Sequence, residues 1–207
     1  MKTTRGLERL VFFTDAITAI AITLLILPLV EAVPEFATDG GSPVELLTSH
    51  VSDLFAFVLS FAIIARLWYA HHQLFEHVGA YNGRLVLLTV VWAFTIVLLP
   101  LPTALTAQFA PEPAIVGFYI ATMTMSSAVL TTMAFLVARS PGLQDAANPI
   151  TPRTLAGSLS TTIAFVLALV LGTAIPVVNY WALFLLFLGG APLQRLLTRR
   201  LTSRAGD

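Results

Sequence analysis

Six runs of mostly apolar residues are separated by short polar breaks along the chain, at approximately 9–30, 49–71, 84–107, 114–138, 154–175 and 178–197. Each run is about 20 residues, the length a helix needs to cross a hydrocarbon core about 30 Å thick. The breaks read EAVPEFATDGGSP, EHVGAYNGR, QFAPEP, RSPGLQDAANPITPR and the very short IPVVN. Pro176 in the last break could instead kink one long helix, but about 40 apolar residues need two crossings. The pattern predicts an all-α membrane protein. It has six transmembrane helices in a single domain over residues 1–207.

Composition narrows the class. Charged residues make up 11% of the chain, against about 25% in a soluble globular protein. The breaks leave no room for a separate soluble domain. Formal net charge is zero, which argues against a nucleic-acid partner. Cysteine is absent, so there is neither a disulfide framework nor thiol chemistry. No A-x-A-like site follows the first run, which is expected to be a retained helix and not a signal peptide.

The placement of charge sets the orientation. Lys2, Arg5 and Arg9 precede run one; Arg66 and Arg84 flank the break after run two; Arg139 and Arg153 flank that after run four; Arg195, Arg199, Arg200 and Arg204 follow run six. With six spans all of these lie on one side. The other side carries Glu31, Glu35, Asp39, Glu45 and Glu112. The positive-inside rule then puts both termini in the cytoplasm.

Run one holds the most informative chemistry. Asp15 sits about a third of the way into RLVFFTDAITAIAITLLILPL, where a carboxylate costs several kcal/mol unless it is paired. Ile20, Leu24 and Leu27 recur at i, i+4 and i+7 and share a face, with Thr23 at its edge and Phe13 and Ala16 continuing it downward. Asp15 is about 140° from Ile20, so it points elsewhere. Periodicity alone fits helix packing as well as a pore. Donors available to Asp15 on the cytoplasmic side are Arg9, Arg66, Trp68, His71 and His72. Adjacent histidines diverge by about 100° and do not share one metal easily; a zinc site prefers i, i+4 spacing with further ligands. Trp68 and Tyr69 read as interfacial anchors, and Pro100 and Pro102 as a kink in run three. The hydroxyls of runs four and five read as helix-packing contacts. No G-x-S-x-G, H-E-x-x-H or P-loop appears, so no enzyme is expected.

Arg9-x-x-x-Phe13-Thr14-Asp15 resembles the R-x-x-x-F-S-D signature of the transmembrane protein 175 family of potassium channels, with Thr14 in place of the usual Ser. The trailing AITAIAITLLIL, Trp68-x-x-His71-His72-x-x-Phe75, Asn82 and Leu99-Pro100-x-Pro102-Thr103 are similar to that family in the same order. The resemblance covers the first half well and runs four to six only in topology. It implies a homotetramer around a central pore lined by helix one. The narrow point would be made by Ile20, Leu24 and Leu27, with Thr23 bearing on cation selectivity. It also implies that Arg9, Phe13, Thr14 and Asp15 lock helix one against helix two through Trp68 and His71 or His72. The chain lacks T-V-G-Y-G, as the family does.

The reading is a potassium-preferring leak channel of a prokaryotic plasma membrane. It would pass K+ and other monovalent cations through a hydrophobic gate, with no cofactor and no bound metal beyond the permeating ion. Glu31, Glu35, Asp39 and Glu45 would attract cations to the outer mouth. The alternatives are a proton or weakly selective cation channel on the same scaffold, and an alternating-access small-solute transporter.

Overall fold

A computed structural model describes residues 4–38, 42–188 and 194–198. They form α1 (Thr4–Leu24), α2 (Leu27–Thr38), α3 (Pro43–Ser49), α4 (Val51–Phe75), α5 (Gly83–Leu98), α6 (Pro100–Gln108), α7 (Pro113–Ala138) and α8 (Pro152–Ala174), then a 3-10 helix (Asn179–Phe184) and α9 (Leu185–Leu188). The described residues are helix and loop, with one isolated antiparallel bridge between Val78 and Gln144.

Among the described residues, five helical stretches are long and apolar enough to cross a membrane: Arg5–Pro34, Val51–Phe75, Gly83–Gln108, Pro113–Ala138 and Pro152–Ala174. They coincide with the first five predicted runs, give or take a few residues at the ends. The predicted sixth run, 178–197, falls on a turn at Val178, on the 3-10 helix, on α9 and on the helical residues 194–198; residues 189–193 lie outside the described set. Pro176 ends a helix and does not kink one. Ile175 before it is extended (φ −122°, ψ 96°), as the residue preceding a proline prefers.

Prolines also divide the first and third stretches. Pro28 has no N–H to return to the Leu24 carbonyl, so the hydrogen-bond ladder lapses between α1 and α2, and Leu25 bonds instead to Ile22. Pro28 is tolerated in the first turn of α2 because its N–H would have been unsatisfied there anyway. The helix then continues past Pro34 to Thr38, so most of the predicted turn-rich break after run one is helical. Pro100 leaves the Ile96 carbonyl to the N–H of Leu99, separating α5 from α6. Thr103 Oγ1 donates to the Leu99 carbonyl (2.8 Å) and shares a hydrogen bond with Ser60 Oγ (2.9 Å), which in turn bonds Tyr119 OH (2.7 Å). This buried chain ties α4, α6 and α7 together at the break.

The core is built around α7 and α8, whose contact is the most extensive in the molecule. Small residues allow the approach. Ser127 and Thr162 share a hydrogen bond (2.8 Å), and Thr131 bonds Ser158 and Thr162 (2.8 Å each). A Cβ at Gly172 would lie 2.8 Å from the Asn179 carbonyl, so glycine lets the chain fold back on α8 there. Asn179 itself takes φ 31°, a conformation Asn tolerates better than most residues. Helix α1 packs on one side of this core, against α5 and α4.

Candidate functional site

The two faces of α1 differ in what they touch. Thr14, Thr18, Ala21 and Leu25, spaced i, i+4, i+7 and i+11, are buried against the bundle. The hydroxyls on this face are satisfied within the helix: Thr14 Oγ1 donates to the Val11 carbonyl (2.8 Å) and Thr18 Oγ1 to the Thr14 carbonyl (2.9 Å). The opposite stripe faces outward. Ile20 is 60% exposed, Leu24 and Leu27 are 45% exposed, and Phe13 is exposed below them. Thr23 lies on the exposed side and donates to the Ile20 carbonyl (2.8 Å). The chain therefore presents a continuous aliphatic stripe that no other described part of it covers.

Asp15 is half-buried, where α1 meets α4. The indole N–H of Trp68 donates to its Oδ1 at 2.8 Å. An N–H to a carboxylate is a charge-assisted bond, roughly twice as strong as a neutral one. His72 stacks on Trp68 (5.7 Å between centroids, 27°) and reaches Glu76 one turn on, at 3.8 Å from Nε2 to Oε1. That contact, an ion pair only when the imidazole is protonated, is solvent-facing and contributes little. His71 lies on a different side of α4, buried, stacked between Phe75 (4.4 Å) and Trp92 (4.1 Å, 14°). Neither ring nitrogen of His71, nor the indole nitrogen of Trp92, has a hydrogen-bond partner among the described residues. Here the imidazole serves as a flat packing surface.

Of the predicted locking residues, Asp15, Trp68 and His72 are brought into one chain of contacts. Thr14 is buried in the same interface with its hydroxyl turned to its own helix, and His71 packs against α5. Arg9 and Phe13 are exposed. Among the described residues the ion pair is His72 with Glu76, so Arg9 and Arg66 do not reach Asp15. On the far side, Glu31 is exposed on α2, and Glu35 lies in α2. Asp39 is outside the described residues. Glu45 closes a capping box at the start of α3: its Oε2 accepts the Ser42 N–H (2.9 Å) while the Glu45 N–H donates to Ser42 Oγ (3.2 Å).

Sequence reasoning passed over Trp92, the closest ring to His71. Its position inside its run, away from the ends where membrane tryptophans concentrate, was the available signal. No group of three or more His, Cys, Asp or Glu suited to a metal occurs among the described residues.

An all-helical protein with several membrane-length helices, one of them tied by a carboxylate–indole bond and bearing an uncovered aliphatic stripe, reads as a multi-pass membrane protein. Comparison with known families narrows the class. Residues 9–100 match the family model described as endosomal/lysosomal potassium channel TMEM175. A potassium channel of Streptomyces collinus is 35% identical over 100 residues, 48% of this chain and 47% of that protein. A potassium channel of a Chryseobacterium species is 31% identical over 136 residues, 65% of this chain and 66% of that one. The mouse endosomal/lysosomal proton channel TMEM175 is 35% identical over 111 residues, 51% of this chain and 22% of that protein. The chain thus spans about half the length of its Streptomyces relative, and less of the mouse one. The chain belongs to the TMEM175 family, a family of ion channels and not of enzymes.

Proposed function

We propose that the chain is one subunit of a potassium-preferring leak channel in a prokaryotic plasma membrane. It has six spans in a single domain, cytoplasmic termini and four copies around a pore lined by α1. The observation that carries this reading is the two-faced α1. Its inner face is seated on the bundle and anchored by the Asp15–Trp68 bond, which leaves Ile20, Leu24 and Leu27 turned outward. Four such stripes meeting on an axis would form stacked apolar rings, which gate by closing and dewetting. Thr23 at the edge of the stripe is the residue placed to bear on cation choice. The bacterial relatives named potassium channels support the ion. The segregation of basic residues supports the orientation and the even span count.

A proton pathway on the same scaffold is the second reading, favoured by vertebrate relatives named proton channels. The test is purified protein in liposomes under a potassium or a sodium gradient, with a pH-sensitive dye inside. Potassium-driven flux without added solute, exceeding sodium flux, is expected. Flux of protons alone would establish the second reading, and flux that needs a co-solute would make the protein a transporter. Crosslinking in the same membranes should end at four subunits.

A further inference from the structure

Arg66, Tyr69 and Gln73 stand at i, i+3 and i+7 on α4 and so form a stripe of hydrogen-bond donors. Arg66 lies about 200° around the helix from Trp68, which turns it away from α1. The stripe lines a cleft of about 400 Å³ between α4, α7 and α8. On α4 the lining runs inward from Leu74 to Arg66, about 12 Å along the axis. Gln73 and Thr154, the latter in the first turn of α8, are therefore at the mouth, on the side of the basic loops. Arg66 is at the floor, about 14 Å short of the end of a membrane-crossing helix. An arginine at such depth needs a counter-charge or a path to water. No Asp or Glu is among the described residues that line the cleft. Arg66 is exposed there, with neither an ion pair nor a hydrogen bond to any other described residue. One turn on, Tyr69 OH accepts from Gln73 Nε2 (3.2 Å), which leaves the phenol O–H free to donate. The guanidinium fork and this O–H make three donors, matching the three acceptor oxygens of a phosphate group.

We propose that this cleft binds the phosphate group of a small soluble molecule, entering from the side of the basic loops. Arg66 and Tyr69 hold the phosphate at the floor. The rest of the solute lies toward the mouth, where Gln73 and Gln194 meet its polar groups. A membrane lipid is excluded by direction, because a phosphate on the floor would send its acyl chains outward to water. The site does not depend on the pore; only the naming of its mouth as cytoplasmic rests on the orientation proposed above.

The chain has no cysteine, so a single thiol can report on the cleft. Ser158→Cys places one on its wall. The assembled protein, in liposomes, is treated with membrane-impermeant methanethiosulfonates, one with an anionic sulfonatoethyl group and one with a cationic trimethylammonioethyl group. Each rate is divided by that of the same reagent with a free thiol in solution. The anionic reagent should be favoured about tenfold, and from one face only. Inorganic phosphate and glycerol phosphate should protect the thiol, and chloride at equal ionic strength should not. In this background Arg66→Gln should equalise the rates and end the protection. Arg84→Gln, on the same side but outside the cleft, should change neither. Tyr69→Phe keeps the charge and removes the O–H, so the preference should stay and the protection weaken several-fold. A thiol unreactive from both faces, as when lipid fills the cleft, would overturn the site. So would equal normalised rates with Arg66 in place, a preference surviving Arg66→Gln, or phosphate protecting no better than chloride. Should Arg66→Gln fail to assemble, undiminished phosphate protection in Tyr69→Phe would overturn it instead. Reaction from outside, together with an external C terminus, would defeat the proposed orientation and leave the site standing; a cytoplasmic C terminus with no phosphate protection would do the reverse.

Discussion

The indole N–H of Trp68 donates to the Asp15 carboxylate across the α1–α4 contact at 2.8 Å, and this is the side-chain hydrogen bond that joins α1 to α4 among the described residues. It explains how a carboxylate is kept within an apolar helix: the donor is neutral but aromatic, so it brings apolar area with it. Trp68→Phe preserves most of that area and deletes the donor. It should cost at most about 1–3 kcal/mol, the range for leaving a fully buried acceptor unmatched, because Asp15 is half-buried. Asp15→Asn should cost less, since an amide oxygen still accepts. Thermal unfolding of the purified protein measures both. A melting temperature unchanged by Trp68→Phe would mean the bond adds nothing to the fold.

Neighbouring residues on α1 should respond in opposite ways. Leu25 is buried, and Leu25→Ala should destabilise by about 2–5 kcal/mol with the ion preference of the surviving channels intact. Ile20 and Leu24 face out of the subunit, so Ile20→Ala and Leu24→Ala should leave the subunit fold nearly unharmed. They should widen the constriction and raise sodium flux relative to potassium. Intact tetramers with unaltered ion preference would remove these residues from the pore.

His71 separates packing from polar chemistry. Its ring is held between Phe75 and Trp92 with both nitrogens unmatched among the described residues. His71→Ala leaves a cavity and should cost about 2–5 kcal/mol. His71→Phe keeps the stacking and removes the buried polar atoms but adds ring volume to a filled site, so it should cost about 1–3 kcal/mol, as overpacking does. A stable His71→Phe protein that conducts normally fits a packing role. The same stable protein without flux would show that the imidazole takes part in conduction.

Much of this was legible in the chain. Hydrophobic runs mark the five membrane-length helices among the described residues because an unbroken apolar run of about 20 residues satisfies its backbone in lipid as a helix, whereas barrel strands are shorter and alternate. The i, i+4, i+7 spacing separated the aliphatic stripe of α1 from Asp15 for the same geometric reason. The choice of partner for Asp15 was not legible. Arg9, Arg66, Trp68 and both histidines all lie within reach in sequence terms, and only the crossing of α1 over α4 brings Trp68 to the carboxylate while turning Arg66 away. The helix beyond Pro28 was also hidden, because proline and glycine in the following segment read as a break, although proline in a first turn costs a helix little.

The acidic residues that follow the stripe provide the last test. Glu31, Glu35, Asp39 and Glu45 follow the stripe, and a ring of them around a mouth would concentrate cations through a field that salt screens over about 8–10 Å. Glu45 has a second task, because its carboxylate caps α3. The backbone N–H of Ser42, and then its hydroxyl, hold the Glu45 carboxyl below its ordinary value. A depressed folded pKa means that the cap contributes above the unfolded value and is lost as pH falls through the folded one. Glu45 should therefore remain charged at a pH where ordinary carboxylates have begun to protonate. Glu45→Gln retains the cap, since glutamine also closes a capping box, so charge can be removed without unwinding α3. Exchanging all four residues for Gln or Asn should lower potassium conductance at low ionic strength and change it little at high. Equal conductance of the two proteins at low salt would leave Glu45 only its capping task, and would mean that the pore draws its cations without this charge.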